Sequence, residues 1–518
     1  MTSGSSAGSR PDAAGGPGRL DSLTSWDADW SGLRVVVAGL GLSGFSAADT
    51  LAELGAHVVV VDSQDSADAR GKADTLKIVG VHEVLLGPDA PLRLPDVGGA
   101  PADVVVTSPG WRPDQPLLAA AAAAGIPIWS DIELAWRVRR RAGRSTADWL
   151  VVTGTNGKTT TVGMAESMLL AAGQRAIACG NLGTPILDVI RNPEDWDTIV
   201  VELSSFQLHW THHIEPAASV VLNVAEDHVD WHGSFEAYCA DKAKIYEHTR
   251  VACIFSEEQP LTMRMVEGAD VQEGCRAVSF TTDAPGRSMV GVVEGMLVDR
   301  AFLENRAHQA LELGHLEDLG PLAPRHQVAN ALAAAALVRS IGVSPEAVRD
   351  GLRAYQPGEH RIQPVAKAND VLWINDSKAT NPHAADASLA AFTDVVWIAG
   401  GLSKGVAYDD LVARHADRLR AVILLGADPS ELEGALKRHA PDLPVLQTAV
   451  RETGNEHSDG QQAMVTAVRE AHAVARPGDV VLMAPAAASM DQFTSYADRG
   501  NAFIDAVARL MEDLGLGS

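Results

Sequence analysis

Residues 153–160 read Thr153-Gly154-Thr155-Asn156-Gly157-Lys158-Thr159-Thr160, directly after the apolar run 149–152. A strand that feeds a glycine-containing turn, then Lys-Thr, then a helical stretch turns backbone N–H groups toward a phosphate chain. In that arrangement Lys158 neutralises β/γ-phosphate charge and the Thr159 hydroxyl ligates magnesium. The common spacing G-x-x-x-x-G-K would put a glycine at Val152; here the first glycine is Gly154, two positions later. A second apolar run, 198–201, ends in Glu202. An acid at the carboxyl end of a strand beside a phosphate loop is well placed to hold the same magnesium, and buried without a cation it would be costly.

Downstream of Glu-Asp-His at 226–228, Phe235, Tyr238, Lys242 and Ile245 recur at spacings of three, four and three, so they share a helical face. Lys242 thus falls inside an apolar stripe, while Lys244 points elsewhere. A snorkelling stem is the structural account. Desolvation that lowers the amine pKa and frees it for chemistry is the functional one.

These residues need elements to hold them. Short apolar runs alternate with helical stretches, the pattern of parallel sheets covered by helices. The chain is expected to form three consecutive Rossmann-like α/β domains, over 31–137, 138–357 and 358–518, the central one a P-loop-type ATP-binding domain with a mainly parallel sheet. In the first, the run 33–38 leads into Gly39-Leu40-Gly41-Leu42-Ser43-Gly44, and a second run, 57–61, ends in Asp62. This is a G-x-G-x-x-G fingerprint with its acid, which suits a dinucleotide or a nucleotide-sugar diphosphate equally. Thr107-Ser108-Pro109-Gly110 is a third turn able to face a phosphate.

In the last domain, Asn375-Asp376-Ser377-Lys378-Ala379-Thr380-Asn381, residues 400–405 with Lys404, and residues 485–491 follow expected strands. Lysines and hydroxyls converging at strand ends predict a site for a small dianion.

With 518 residues, 46% of them hydrophobic and 21% charged, the chain is long enough for several cores and reads as globular. Its net charge of −25 argues against nucleic acid or an anionic membrane as a partner. Its apolar runs fall short of the ~18 residues a membrane span needs. Four cysteines without metal-ligand spacing suit a reducing cytoplasm. Residues 1–30, rich in Gly, Ser, Ala and Asp, are expected to form a disordered tail.

Taken together, the motifs resemble the Mur ligase family from about Arg34 to Asn501. Family-wide marks are 153–160, Glu202-Leu203-Ser204-Ser205-Phe206-Gln207-Leu208, and 223–228. Asp131-Ile132-Glu133-Leu134, 376–381 and Ala488-Ser489-Met490-Asp491-Gln492-Phe493 look specific to its D-glutamate-adding branch; Met490 and Tyr496 stand where leucine and phenylalanine are usual.

The resemblance implies ATP-driven amide formation between UDP-N-acetylmuramoyl-L-alanine and D-glutamate, through an acyl phosphate, by a cytoplasmic monomer of peptidoglycan synthesis. Lys158, Glu202, His228 and Lys242 are then catalytic. Thr159, Glu202, His228 and Lys242 serve two magnesium ions, Lys242 as a carbamate. Thr155, Asn156, Gly157, Lys158, Thr159, Thr160, Thr161, Asn330, Arg361 and Asp376 bind ATP. Leu42, Ser43, Asp62, Ser63, Gly110 and Asn181 bind the UDP-sugar, and Lys378, Thr380, Lys404, Ser489, Met490 and Tyr496 bind D-glutamate. The rivals are another Mur-type or folylpolyglutamate-type ligase, an NAD-dependent oxidoreductase resting on 39–62, and a non-catalytic nucleotide-binding regulator.

Overall fold

Valine-rich runs decide the first sheet. Val35–Val37, Val58–Val61 and Val104–Val106 are buried along their whole length, which suits strands covered on both faces by helices. In the computed structural model, which describes residues 17–181, 183–320, 322–403, 405–448 and 456–516, they form β1 (Arg34–Ala38), β2 (His57–Asp62) and β4 (Val104–Thr107). With β3 (Glu83–Leu86) and β5 (Ile128–Ser130) they make a parallel sheet of order β3-β2-β1-β4-β5. The strand order reverses between β1 and β4, so the turns after those two strands flank the crevice where such sheets take ligands. Those turns are 39–44 and 107–110.

The second sheet has the order β14-β13-β12-β11-β10-β9-β6-β8-β7. Its strands are β6 (Asp148–Thr153), β7 (Ala176–Gly180), β8 (Thr198–Glu202), β9 (Ala218–Val221), β10 (Ala252–Ser256), β11 (Arg276–Phe280), β12 (Met289–Val293), β13 (Met296–Asp299) and β14 (Leu311–His315). Pairing is parallel from β7 to β12 and antiparallel through β13 and β14. β6 lies between β8 and β9, with Val152 beside Glu202 and Thr153 beside Val221. This register puts the turn after β6, the carboxylate ending β8 and the loop after β9 side by side.

The third sheet, order β15-β16-β20-β17-β18-β19, comprises β15 (Gln363–Ala368), β16 (Val371–Asn375), β17 (Val395–Gly400), β18 (Leu419–Leu425), β19 (Val445–Gln447) and β20 (Val480–Met483). Only β15 runs antiparallel to its neighbour. The first two sheets belong to one compact unit that runs to Asp318 and takes in Ala329–Ala354; the third belongs to a second unit, Leu319–Val328 and Tyr355 onward.

The stretch 17–30 departs from the expected tail. Pro17–Ser22 is helical, and Leu20, Leu23, Trp26 and Trp30 are buried in the core of the first unit. Arg137 Nη1 donates to Leu20 O at 2.8 Å, and Trp30 Nε1 to Ser25 O at 2.9 Å. Composition misled here because four large apolar side chains outweigh the Gly and Ser around them. The rest of that tail, 1–16, lies outside the described residues, as does Lys404.

Within the first unit, the helix Asp131–Val138 and the helix Leu42–Glu53 face elements of the second sheet. Ser46 Oγ donates to Asp188 Oδ1 at 2.5 Å, Arg191 pairs with Asp49 and Glu53, and Ser130 and Thr211 share a 2.8 Å hydroxyl bond.

Candidate active site

The turn after β6 is built by two glycines in backbone regions that side chains avoid. Gly154 has φ +157° and Gly157 φ +86°, and a Cβ on Gly157 would lie 2.3 Å from Asn330 Oδ1. Asn330, buried in the helix Arg325–Ser340, therefore closes one side of the loop. Asn223 fixes the other: its Oδ1 accepts from Asn156 N at 2.9 Å and its Nδ2 donates to Asn156 O at 3.0 Å. The helix Lys158–Ala171 starts at once, so its first N–H groups point over the turn.

Two lysines converge on one carbonyl. Lys158 Nζ donates to Gly154 O at 2.9 Å and to Thr155 O at 3.1 Å. Lys242 Nζ donates to the same Gly154 O at 3.0 Å and to Thr153 Oγ1 at 3.3 Å. Lys242 is 2% exposed, and its amine is pushed well below the ordinary lysine range by burial first and by the Lys158 charge second. Of the apolar stripe read from the sequence, Tyr238 and Ile245 are buried with it, whereas Lys244 turns away to Asp241 at 2.8 Å.

Glu202 is 2% exposed and is held by two donors. Thr159 Oγ1 donates to its Oε2 at 2.8 Å and Asn181 Nδ2 to its Oε1 at 3.1 Å. A carboxylate and a hydroxyl at the mouth of a phosphate-type loop form an oxygen set of the kind magnesium takes. Other expected ATP residues are spent on the loop itself. Thr155 Oγ1 pairs with Tyr238 OH at 2.8 Å, and the buried Thr161 donates to Gly157 O at 3.0 Å. Thr160 is half-buried. His228 has φ +52°, is partly exposed, and packs edge-on to the Phe206 ring at 4.8 Å.

Asp241, next to Lys242, anchors the helix Phe235–Ala243. Its Oδ2 bonds His209 Nδ1 at 2.8 Å and His232 Nδ1 at 2.9 Å. Burial works against that carboxylate, yet the bonds from His209, His232 and Lys244 hold it well below the usual range.

At the first sheet, Leu42 is exposed, Ser43 half-buried and Ser63 exposed around the glycine turn. Asp62 Oδ2 accepts from Leu40 N at 2.6 Å. Gly110 is exposed, and its carbonyl accepts from Trp231 Nε1 at 3.3 Å. A Cβ on Gly44 would lie 2.0 Å from Gly39 O and 2.6 Å from Ser108 Oγ, so this turn has no room for one.

In the second unit, the turns after β16, β17 and β20 meet. Asn375 pairs with Met483 and Met483 with Ile398 in the sheet, and Leu402 and Ala488 exchange backbone bonds of 2.9 and 3.1 Å. Lys378 Nζ sits 3.8 Å over the Tyr496 ring. Thr380 is half-buried, Ser489 buried and Met490 72% exposed. Asp376 is buried, accepts from Ile362 N at 3.2 Å and from Ser388 Oγ, and is pushed up to about 6 by burial; Arg361 is half-buried in the adjoining segment.

Three participants are not among the expected site residues: Asn223, which clamps Asn156, Tyr238, whose hydroxyl meets Thr155, and Arg499. Arg499 is 1% exposed, donates to Ser377 Oγ and O at 3.1 and 3.0 Å and to Ala487 O at 3.1 Å, and is pushed down to about 9 by burial. Its signal was available: Arg499 shares a helical face with Phe503, Ala506 and Leu510, as Lys242 does with its own stripe.

Three family models tile this architecture. The chain matches the Mur ligase MurD-like N-terminal domain over 33–130, the Mur ligase middle domain over 152–338, and the Mur ligase glutamate ligase domain over 360–487. The chain belongs to the Mur ligase family. It is 54% identical over 504 residues to a UDP-N-acetylmuramoylalanine--D-glutamate ligase of Leifsonia xyli subsp. xyli, covering 94% of this chain and 95% of that one. It is 53% identical over 482 residues to the same-named protein of Streptomyces avermitilis, covering 93% and 99%. Among solved structures, MurF from Acinetobacter baumannii aligns with TM-score 0.54 at 17% identity, covering 93% of this chain and 92% of that one. UDP-N-acetylmuramate-alanine ligase MurC from Thermotoga maritima aligns with TM-score 0.51 at 17% identity, covering 93% and 99%. At such identity these structures share the fold alone. Among the described residues, no helix is long and apolar enough to cross a membrane.

Proposed function

We propose that this chain is an ATP-dependent amide ligase that joins D-glutamate to UDP-N-acetylmuramoyl-L-alanine in the cytoplasmic phase of peptidoglycan synthesis, acting as a monomer. The observation that carries it is the crevice at the end of β6, where Lys158 and Lys242 share the Gly154 carbonyl beside the Thr159–Glu202 pair. The high identity to ligases of that name over nearly the whole chain supports the choice of substrates. In this reading, residues 31–137 take the UDP-sugar, 138–357 take ATP and 358–518 take the amino acid.

A carboxylate repels an incoming amine, so it must first be activated. The alanyl carboxylate oxygen attacks the γ-phosphorus of ATP, the bond to the β-phosphate oxygen breaks, and ADP leaves. The resulting acyl phosphate is attacked at its carbonyl carbon by the D-glutamate amine, which loses a proton as the tetrahedral intermediate expels phosphate. Positioning and charge stabilisation supply most of the catalysis in such transfers.

Lys158 exchanges its loop carbonyls for phosphate oxygens, and the helix N-terminus it opens adds N–H donors. Thr159 and Glu202 hold one magnesium, which neutralises phosphate charge when bound. Lys242, whose burial favours the neutral amine, takes up carbon dioxide with loss of a proton and becomes a carbamate. The carbamate would supply oxygen to hold a second magnesium, together with His228.

Asn156, Gly157, the neighbouring threonines and Asn330 are ATP-binding residues, and so are Arg361 and Asp376. Leu42, Ser43, Asp62, Ser63, Gly110 and Asn181 hold the UDP-sugar. Lys378, Thr380, Lys404, Ser489, Met490 and Tyr496 receive D-glutamate, the two lysines facing its carboxylates.

The test is ADP release with ATP and magnesium, leaving out each substrate in turn. Release that needs both UDP-N-acetylmuramoyl-L-alanine and D-glutamate is expected. Equal release with L-glutamate, L-lysine or meso-diaminopimelate in place of D-glutamate would reject the acceptor, and release needing no acceptor would reject the ligase.

A further inference from the structure

Asp131 has an expensive position and no part in the chemistry above. It is 2% exposed, and its hydrogen-bond partners are neutral: both carboxylate oxygens lie within reach of Gln207 Nε2, at 3.1 and 3.2 Å, the Ser43 hydroxyl bonds it as well, and the backbone N–H groups of Asp131 and Ile132 complete the set. No cationic side chain is among its partners in the described residues. A buried carboxylate served only by neutral donors costs stability that an asparagine would largely avoid. Such a group persists where it does something the cheaper residue cannot.

Its partners tell what that is. Ser43 lies in the first turn of the helix that opens after the glycine turn 39–44. Gln207 lies in the helix Ser205–His209, and its Oε1 accepts from Ser204 N at 3.0 Å, closing a capping box. Ser204 is two residues beyond Glu202, which Thr159 and Asn181 hold. The helix Asp131–Val138 sends a second carboxylate to the stretch just after Ser205–His209: Glu133, bonded to Arg137 at 2.8 Å, accepts from His212 N and His213 N at 2.8 and 2.9 Å.

We propose that Asp131 is a positioning residue for the UDP-sugar: through Ser43 and Gln207 it fixes the glycine turn of the first sheet in register with the Glu202 segment of the second. The proposal rests on the reading of 39–44 as the sugar-diphosphate turn. An ionised carboxylate suits this place because it accepts from both sides at once. An amide there either aims a donor at Gln207 Nε2 or turns the Ser43 hydroxyl from donor to acceptor.

The experiment compares Asp131→Asn with wild type in steady-state kinetics, each substrate varied in turn, together with thermal melting. The KM for UDP-N-acetylmuramoyl-L-alanine is expected to rise about 10-fold, with kcat and the other two KM values within about 2-fold and no loss of melting temperature. The exchanged pair Asp131→Asn with Gln207→Glu, which keeps one carboxylate and one amide, is expected to bring that KM back to within about 3-fold of wild type. An unchanged sugar KM in Asp131→Asn would overturn the proposal, as would an equal rise in all three KM values with a lowered melting temperature. If Asp131→Asn does not fold, the exchanged pair decides: a near-wild-type sugar KM upholds the bridge, and a raised one refutes it. Should wild type show no acceptor-dependent ADP release, the proposed function fails instead, and the bridge is read by calorimetry with UDP-N-acetylmuramoyl-L-alanine. There, equal affinity of wild type and Asp131→Asn, or no binding to wild type, overturns it.

Discussion

The first two sheets each carry a strand, a glycine turn and a helix, yet the turns are equipped for different work. The turn after β1 has no lysine, and the acid that ends the next strand, Asp62, accepts a backbone N–H from Leu40. The turn after β6 has Lys158 and Thr159, a second lysine from a neighbouring helix, and an acid, Glu202, held by a hydroxyl and an amide. In the proposed function one turn holds a diphosphate that stays intact, and the other concentrates charge where a phosphoryl group leaves. Backbone shape suits each to a phosphate, and the side chains brought from neighbouring strands and helices decide whether chemistry follows.

Removing the charge should break the comparison most severely. Lys158→Ala is expected to lower kcat by about 10³-fold or more while UDP-sugar binding by calorimetry stays unchanged; retained turnover would make the two turns equivalent. Lys242→Ala is expected to lose about 10²-fold, with recovery on adding short carboxylic acids. Full activity without them would mean the buried amine is not carbamylated.

The glycines sharpen the contrast next. Gly157→Ala meets both a left-handed φ and the Asn330 side chain, so a fall in kcat of about 10-fold is expected, with the UDP-sugar KM unmoved. Gly44→Ala meets Gly39 O and should do the reverse, raising the UDP-sugar KM about 10-fold with ATP affinity kept; it should also destabilise by about 1–3 kcal/mol.

The last prediction concerns the bridge between the two sheets and is read in stability alone. Burial pushes Asp131 up to about 6 in the folded chain, above its ordinary carboxylate value. The folded state then binds more protons than the unfolded one between about pH 4 and 6, so this group lowers stability as pH rises through that window. Above it the penalty is on the order of 3 kcal/mol. The buried Cys179 thiol, which feels the Asp131 charge, is pushed well above its usual range by burial first and stays neutral there. Asp131→Asn should therefore melt higher than wild type by a margin that grows from pH 4 to 6 and is then flat. A margin independent of pH would mean the carboxylate is not buried in solution.

Much of this contrast was legible in one dimension. The valine runs, the glycines, Lys158-Thr159 and Glu202 announce themselves because local order alone makes strand, turn and helix. Lys242 was readable from its helical stripe, and Arg499 would have been by the same logic. The buried edge of the expected tail was legible too: Leu20, Leu23, Trp26 and Trp30 recur at spacings of three, three and four, the helical period, although only Pro17–Ser22 of that stretch is helical.

What the order of residues determined by itself is which side chains stand at strand ends and at what spacing, because periodicity and turn chemistry act within a few residues. Only the tertiary structure decided that Glu202 meets Thr159, that two lysines 84 positions apart share one carbonyl, and that Asp131 faces Gln207 rather than a cation. Those meetings depend on strand order and register, and these are settled by burying whole sheet faces at once.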